Sequence, residues 1–331
     1  MVNYSYLLAF LLSTFFVYII KKYAYKIGLI DIPNSRSIHK ISTPRGGGIG
    51  FILSFFMILS IYHFDLFFDY LYIFISIILV FFIGLLDDLK GVNPITKFTI
   101  ILLSTILIYI NGFKIEFVGL YFGIENLSLG YFTFLFTFFA VSGFTNALNL
   151  IDGIDGLSSS ISIIILSSLY YIGYIHNDNF IMVISSTLIL VLISFLIFNW
   201  NRASIFMGDS GSLTIGFIIS VLSIKSLDYI PAVNVLFLGA IPVLDTMIVM
   251  IRRKLNGFSA FRADRWHIHH IVLRYFDDNV TKSVIFLSFI QIIYSILGVV
   301  LSKNLDGGYI LPLFIFNGII LYHILTYFLK E

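Results

Sequence analysis

Apolar runs recur along the whole of this chain, each about as long as a bilayer-crossing helix needs, roughly 17–25 residues. They fall at about 4–22, 46–63, 67–86, 95–111, 130–147, 157–175, 179–198, 211–227, 231–251, 281–302 and 307–329. A backbone inside hydrocarbon has to satisfy its own N–H and C=O groups, and a run of this length does so as a helix. The expected fold is therefore all-α: a polytopic integral membrane protein with about 11 transmembrane helices, forming one domain over residues 1–331. Composition agrees. Charged residues make up only 11% of the chain, against about 25% in soluble domains. A net charge of +2 is too small to argue for a nucleic-acid partner. With no cysteine, disulfides, zinc–thiolate sites and thiol chemistry are excluded. The first run is followed by Lys21 and Lys22, not preceded by them, so it reads as a retained helix and not as a cleaved signal.

Lys and Arg give the orientation. If the loop after the first helix is cytosolic and the sides alternate, 17 of the 20 basic residues fall on the cytosolic side, and only Lys114, Lys225 and Lys303 face out. The positive-inside rule then places the N-terminus outside and the C-terminus in the cytosol. The cytosolic loops lie at about 23–45, 87–97, 147–156, 199–210 and 252–280.

Those five loops hold nearly all the polar motifs. The densest is Asn146-Ala-Leu-Asn149-Leu-Ile-Asp152-Gly-Ile-Asp155-Gly-Leu157. Two amides and two carboxylates spaced by three make a polar stripe on a helix, and Gly153 and Gly156 predict that the helix breaks into a turn there. Ionisable groups at the edge of apolar segments are expensive and point to function; the plain alternative is a capped membrane-edge loop. Asp31 to His39, Pro44-Arg-Gly-Gly-Gly48, Asp87-Asp88 with Lys97, Asn199-Trp-Asn-Arg202, Met207-Gly-Asp209-Ser-Gly-Ser212 and Asp264-Arg-Trp-His267-Ile-His269-His270 occupy the other loops. Motifs collected on one side imply one active site on the cytosolic face. No internal repeat is visible, which argues against a secondary transporter.

The chemistry follows from the residue types. Asp87, Asp88, Asp152, Asp155 and Asp209 are hard oxygen donors, and in the absence of thiols they suit Mg²⁺, which takes one or two protein carboxylates together with substrate phosphate oxygens. Lys97, a point cation that suits a diphosphate, lies nine residues past Asp88. That is about 13 Å along a continuous helix, so pairing requires the chain to turn between them. Gly46-Gly47-Gly48 is either an anion-binding helix start or a packing site. The three histidines could take metal or phosphate, or simply pack a polar loop. Asp245 either lies beneath that loop or pairs with a nearby Arg; His63, His176 and His323 read as interfacial.

Taken together, Asp87-Asp88, Asn146-x-x-Asn149-x-x-Asp152-Gly-x-Asp155-Gly, Phe206-Met-Gly-Asp209-x-Gly-Ser212 and His267-Ile-His269-His270 resemble the polyprenyl-phosphate N-acetylhexosamine-1-phosphate transferases, in that family's order, from about Asp31 to Arg274. The resemblance implies a multi-pass enzyme of the bacterial inner membrane and its lipid bilayer. It would transfer HexNAc 1-phosphate from a UDP-N-acetylhexosamine to undecaprenyl phosphate, release UMP and begin a lipid-linked surface glycan such as O-antigen, teichoic acid or capsule. The cofactor implied is Mg²⁺, with Mn²⁺ as a substitute, and a homodimer is left open. By motif position, Asp87 and Asp88 match the catalytic pair, Asp152 and Asp155 shape the catalytic and nucleotide pocket, and Asn149 and Asp209 match the metal pair. Lys97 and Asn146 match diphosphate-holding positions, while Arg265, His267, His269 and His270 fit sugar and phosphate recognition.

The His-x-His-His loop resembles the branch that uses UDP-GlcNAc and disfavours the muramyl-pentapeptide branch. Pro33-Asn-Ser-Arg-Ser with Pro44-Arg-Gly-Gly-Gly48 is more similar to the branch that uses 6-deoxy sugars. UDP-GlcNAc is the expected donor, with UDP-GalNAc or a UDP-6-deoxy-HexNAc as the alternative. An intramembrane aspartyl protease would need Gly-x-Gly-Asp where this chain has Phe-Met-Gly-Asp209. A membrane prenyltransferase would need Asp-x-x-x-Asp in place of the adjacent pair.

Overall fold

A computed structural model describes residues 2–33, 41–125, 127–259, 266–301 and 306–327. The first half is built from α1 (Val2–Ile27), α2 (Gly47–Tyr62), α3 (Phe64–Asp69), α4 (Leu71–Lys90), α5 (Pro94–Ile110), α6 (Thr133–Ile151) and α7 (Leu157–His176). The second half adds α8 (Asn179–Asn199), α9 (Asp209–Ser226), α10 (Ala232–Leu238), α11 (Ala240–Leu255), α12 (Ile268–Tyr275), α13 (Val280–Val300) and α14 (Gly307–Tyr327). The regular sheet among the described residues is one two-residue antiparallel pair, β1 (Ile30–Asp31) with β2 (Thr43–Pro44). The fold is thus almost wholly helical, as the apolar runs dictate.

Seven of these helices are long and apolar enough to cross a membrane, namely α1, α4, α6, α7, α8, α13 and α14; the α10–α11 pair makes an eighth if it counts as one span. The chain is a multi-pass membrane protein. Three of the expected spans fall short of that standard for identifiable reasons. α2 and α5 have 16 and 17 residues. α9 carries Asp209, Lys225 and several serines, yet 15 of its 18 residues are buried. A helix enclosed by protein does not need a lipid-facing surface.

α9 is the axis of the bundle, packed against α6, α4, α7, α2 and α8. Small residues let these backbones approach closely. A Cβ on Gly48 would lie 2.2 Å from the Gly211 backbone nitrogen, one on Gly84 2.4 Å from the Asp209 carbonyl oxygen, and one on Gly216 2.9 Å from the Thr145 Cα.

Three local expectations need correction. The run at 231–251 is not one helix: it breaks at Gly239 and turns through 92° between α10 and α11. Asp87 and Asp88 are not in a loop but in the last turns of α4, and Lys97 is in the first turn of α5. The helix before the Asn–Asp run also continues past 147 to Ile151. Polar residues at a helix end lower a hydropathy reading while the hydrogen-bond ladder continues, so helix ends run on past apolar ends.

Candidate active site

Helix ends converge at one end of the bundle. α4, α6, α8 and α11 finish there, and α2, α5, α7, α9, α12 and α13 begin there. Between them lies a cavity of about 690 Å³, lined among others by Arg45, Asp88, Asp152, Asp155, Asp209 and His270. That volume suits a small-molecule ligand.

The turn that brings Lys97 back is short and specified by sequence. Gly91 caps α4 with φ 69°, Asn93 caps α5 by accepting the Ile95 N–H, and Pro94 takes the first helical position. Lys97 Nζ then stands 2.8 Å from Asp87 Oδ2 and 2.6 Å from Asp209 Oδ2, so one cation joins Asp87 to Asp209, which lies 112 residues beyond Lys97 itself. The other Asp87 oxygen accepts the Val92 N–H at 2.7 Å, which closes the turn on itself.

The adjacent acids divide. Asp88, 1% exposed, turns away from Lys97. Its Oδ1 accepts the Asp209 N–H at 2.9 Å and its Oδ2 the Ser210 N–H at 3.0 Å. These are unsatisfied first-turn donors of α9, where negative charge is favoured. Gly208 permits this contact: its φ is 75°, and a Cβ there would lie 2.6 Å from Asp88 Oδ2. Arg45 donates to the backbone carbonyls of Asp87 and Asp88, binding the C-terminal end of α4.

Of the two readings of Gly46-Gly47-Gly48, the packing site is the one formed. The Gly47 and Gly48 N–H groups donate at 2.9 Å to the carbonyls of Phe206 and Met207, so the triplet serves packing. It locks the start of α2 onto the segment leading into Asp209.

On α6, Asn146 and Asn149 lie one turn apart, and Asn149 Nδ2 donates to Ser212 Oγ at 3.0 Å. That bond ties the expected metal pair, Asn149 and Asp209, to neighbouring turns of two packed helices. Asp152 caps α6. Burial first, and then the nearby carboxylates of Asp209, Asp88 and Asp155, push its carboxyl well above the ordinary range. Asp155 Oδ2 accepts the Ala203 N–H at 2.8 Å, which holds the segment after α8 over the cavity.

The three histidines are not equivalent. His270 lines the cavity, whereas His267 and His269 are buried behind it. His267 Nδ1 is 2.8 Å from Asp245 Oδ2, and His269 Nδ1 is 3.9 Å from the same oxygen. Asp245, His267 and His269 have ligand atoms within 4.8 Å of one another, spacing that a metal ion could use. Burial lowers the His269 imidazole to about 3, so it is neutral at physiological pH. A Cβ on Gly153 would lie 2.6 Å from His269 Nε2, so the turn after α6 and the His loop meet ring against backbone. Trp266, just before them, is flanked by the guanidinium groups of Arg252 and Arg274 at 5.5 and 4.8 Å from its ring centre. Arg265 lies outside the described residues.

Ten of the expected site residues therefore gather at this end, around or just behind the cavity, with Asn146 one turn further back on α6. Arg45 and Asn199 also belong to the site and were not singled out as site residues by sequence. Asn199 accepts the Gly156 N–H and donates to the Ile205 carbonyl, joining the turn after α6 to the end of α8. Their signal was present, in Pro44-Arg-Gly-Gly-Gly48 and Asn199-Trp-Asn-Arg202, but a polar loop residue shows its role only through partners distant in sequence. A second cavity, about 470 Å³ and almost entirely apolar, opens along α6, α9, α10 and α11 beside the bend at Gly239.

Comparison with known proteins gives consistent matches. The sequence profile of glycosyl transferase family 4 matches residues 70–227. A Bacillus subtilis (strain 168) protein named "Probable undecaprenyl-phosphate N-acetylglucosaminyl 1-phosphate transferase" is 32% identical over 291 residues, 86% of this chain and 80% of the relative. Proteins named "Undecaprenyl-phosphate alpha-N-acetylglucosaminyl 1-phosphate transferase" are 31% identical in Escherichia coli (strain K12) and 33% identical in Yersinia pestis; each match covers 80% of this chain and 74–75% of the relative.

Proposed function

The chain belongs to glycosyl transferase family 4, and on that premise we propose that it transfers N-acetylglucosamine 1-phosphate from UDP-GlcNAc to undecaprenyl phosphate. The observation that carries this reading is the Asp87–Lys97–Asp209 triad, whose Asp209 lines an acid-lined cavity, in a bundle that also holds an apolar cavity along α6 and α11. A soluble nucleotide sugar needs a polar space and a lipid chain an apolar one.

In the reaction a phosphate oxygen of the lipid attacks the β-phosphorus of the nucleotide sugar, and the bond from that phosphorus to the UMP oxygen breaks. One phosphoanhydride replaces another, so the step is near balance. A phosphate monoester has its second pKa near 6, so the nucleophile is mostly dianionic at neutral pH and UMP leaves in the same form. No net proton moves and no general base is required, which favours a single displacement over an aspartyl-phosphate intermediate. Catalysis then rests on positioning and charge neutralisation. Lys97 neutralises diphosphate charge and is itself fixed by Asp87 and Asp209. Asp88 holds the start of α9, and with it Asp209, in place. Asp155 and Asn199 shape the nucleotide side, and His270 faces sugar or phosphate from the cavity wall.

A divalent cation of the Mg²⁺ type fits these residues. The carboxylate and amide donors are all oxygen: Asp87 and Asp209 flank Lys97, Asp88 lies 3.9 Å from Arg45, and Asp152 is crowded by Asp209, Asp88 and Asp155. Asp209 and Asn149 would hold the ion, which when bound supplies charge neutralisation for the diphosphate. The family relation supports a bacterial inner-membrane setting. Eleven crossings, outside N-terminus and cytosolic C-terminus are our reading of α2, α5 and α9 as further spans and of the bent pair as one; the 17-to-3 basic asymmetry supports it.

The test is UMP release by detergent-solubilised protein with undecaprenyl phosphate and Mg²⁺, offering UDP-GlcNAc, UDP-GalNAc and a UDP-6-deoxy-HexNAc separately. UMP from UDP-GlcNAc is the expected result. Release from another HexNAc donor alone would keep the reaction and change the sugar, and no release from any donor would overturn the transferase reading.

A further inference from the structure

Asp245 belongs to no motif. It sits on α11, 0% exposed, six residues beyond the bend at Gly239. The bend is stitched by Gln291 of α13, which accepts the Ile241 N–H at 3.0 Å and donates to the Leu238 carbonyl at 2.7 Å. This side chain satisfies the backbone groups that the break would orphan, so the direction in which α11 leaves the bend is fixed. That direction carries Asp245 beneath the His loop. There Oδ2 meets His267 Nδ1 at 2.8 Å, and Oδ1 accepts the N–H of Ile268, the first residue of α12.

We propose that Asp245 is a positioning residue for the transfer reaction: its carboxylate fixes the proton of His267 on Nδ1 and anchors the first turn of α12, and so holds His270 on the cavity wall. The inference rests on the transferase reading above. A carboxylate only accepts hydrogen bonds, so the His267 proton must lie on the nitrogen facing it. One buried group thereby sets both a ring orientation and a helix start. His269 and His270 follow on that first turn, His269 against Gly153 and His270 on the cavity. Asn cannot replace it. An amide has one oxygen for two donors and must present its NH₂ to either His267 or the Ile268 N–H.

The experiment compares wild type, Asp245→Asn, His267→Gln and the double variant by steady-state UMP release, with ¹⁵N NMR of the histidine rings. A misplacement of about 1 Å costs roughly 10²-fold, so each single variant is expected to lose about that much in kcat/KM for UDP-GlcNAc, with KM for undecaprenyl phosphate unchanged. The double variant should be no worse than the worse single. The wild-type His267 signal should show Nδ1 protonated, and Asp245→Asn should either move the proton to Nε2 or, with the amide oxygen still facing His267, release the Ile268 N–H to faster exchange. Full activity in Asp245→Asn, independent and multiplying losses, a wild-type His267 proton on Nε2, or a variant with both the proton and Ile268 exchange unmoved would each overturn the proposal. A Co²⁺ absorption spectrum that Asp245→Asn abolishes would also overturn it, because a metal would then stand where the His267 proton is placed. If Asp245→Asn fails to fold, His267→Gln and the wild-type NMR signal decide. An inactive wild type would sink the transferase reading but leave the His267 proton position to be read separately.

Discussion

Asp88 invites a sharp test, because the resemblance places it in a catalytic pair while its contacts are those of a brace. Both carboxylate oxygens are occupied by the first N–H groups of α9, at 2.9 and 3.0 Å, and the side chain is 1% exposed. Hydrogen bonds to a charged group contribute about 1.5–3 kcal/mol each. Asp88→Asn keeps one oxygen and turns an NH₂ toward the other N–H, losing one such bond. The start of α9 is then less stable by about 2–3 kcal/mol, which lowers local hydrogen-exchange protection by roughly 30- to 150-fold. Asp209 sits on that first turn and is paired with Lys97, so turnover falls with it. The assay is hydrogen exchange with mass spectrometry over peptides covering 205–216, alongside kcat for UMP release. Brace and chemical group predict different results. Faster exchange together with lost turnover supports the brace. If turnover collapses while exchange in 205–216 and thermal stability stay at wild-type values, Asp88 acts on the substrate directly and the argument from its hydrogen bonds is refuted.

Three further outcomes are expected. Asp209→Asn abolishes turnover and weakens the response to added Mg²⁺ in an EDTA-treated preparation; a normal Mg²⁺ titration in that variant removes Asp209 from the metal pair. Gly48→Ala puts a methyl 2.2 Å from the Gly211 backbone nitrogen, where no flexible side chain can yield, so it should cost more than the usual 1–3 kcal/mol of overpacking. Folded yield on size-exclusion chromatography should collapse, while Gly143→Ala, with nothing within 4 Å of its added Cβ, serves as the tolerated control. The third outcome concerns pH. Burial holds folded His269 at about 3 against an ordinary 6.5. As pH falls, the unfolded chain takes up this proton first, so stability is full above about pH 6.5 and is lost between about 6.5 and 3, by about 1.4 kcal/mol per pH unit. His269→Asn should flatten the thermal-unfolding profile by that slope between about pH 7 and 5; an unchanged slope assigns the acid sensitivity to other groups.

The sequence by itself determined the helical, multi-pass class, because apolar runs of spanning length leave the backbone no other way to satisfy itself in lipid. It also determined the set of chemical groups. Asp87, Lys97, Asn149, Asp152 and Asp209 stand in motifs whose polarity is costly at the edge of such runs, and the structure brings them to one end of the bundle. Tertiary structure alone decided how those groups are used. Asp87 and Asp88 are adjacent in sequence, yet one faces Lys97 and the other α9, because successive residues on a helix point about 100° apart and different elements wait on each side. The same holds for the glycine triplet, which reads equally as anion site or packing surface until the carbonyls of Phe206 and Met207 are found opposite its N–H groups. Asp245 was the least legible. It lies inside an apolar run, and its partners His267 and Ile268 come within reach because the helix breaks at Gly239, where Gln291, 50 residues beyond Ile241, satisfies the broken backbone. Local sequence encodes propensity and chemistry; the direction of a side chain and the identity of its partner depend on packing between segments far apart in the chain.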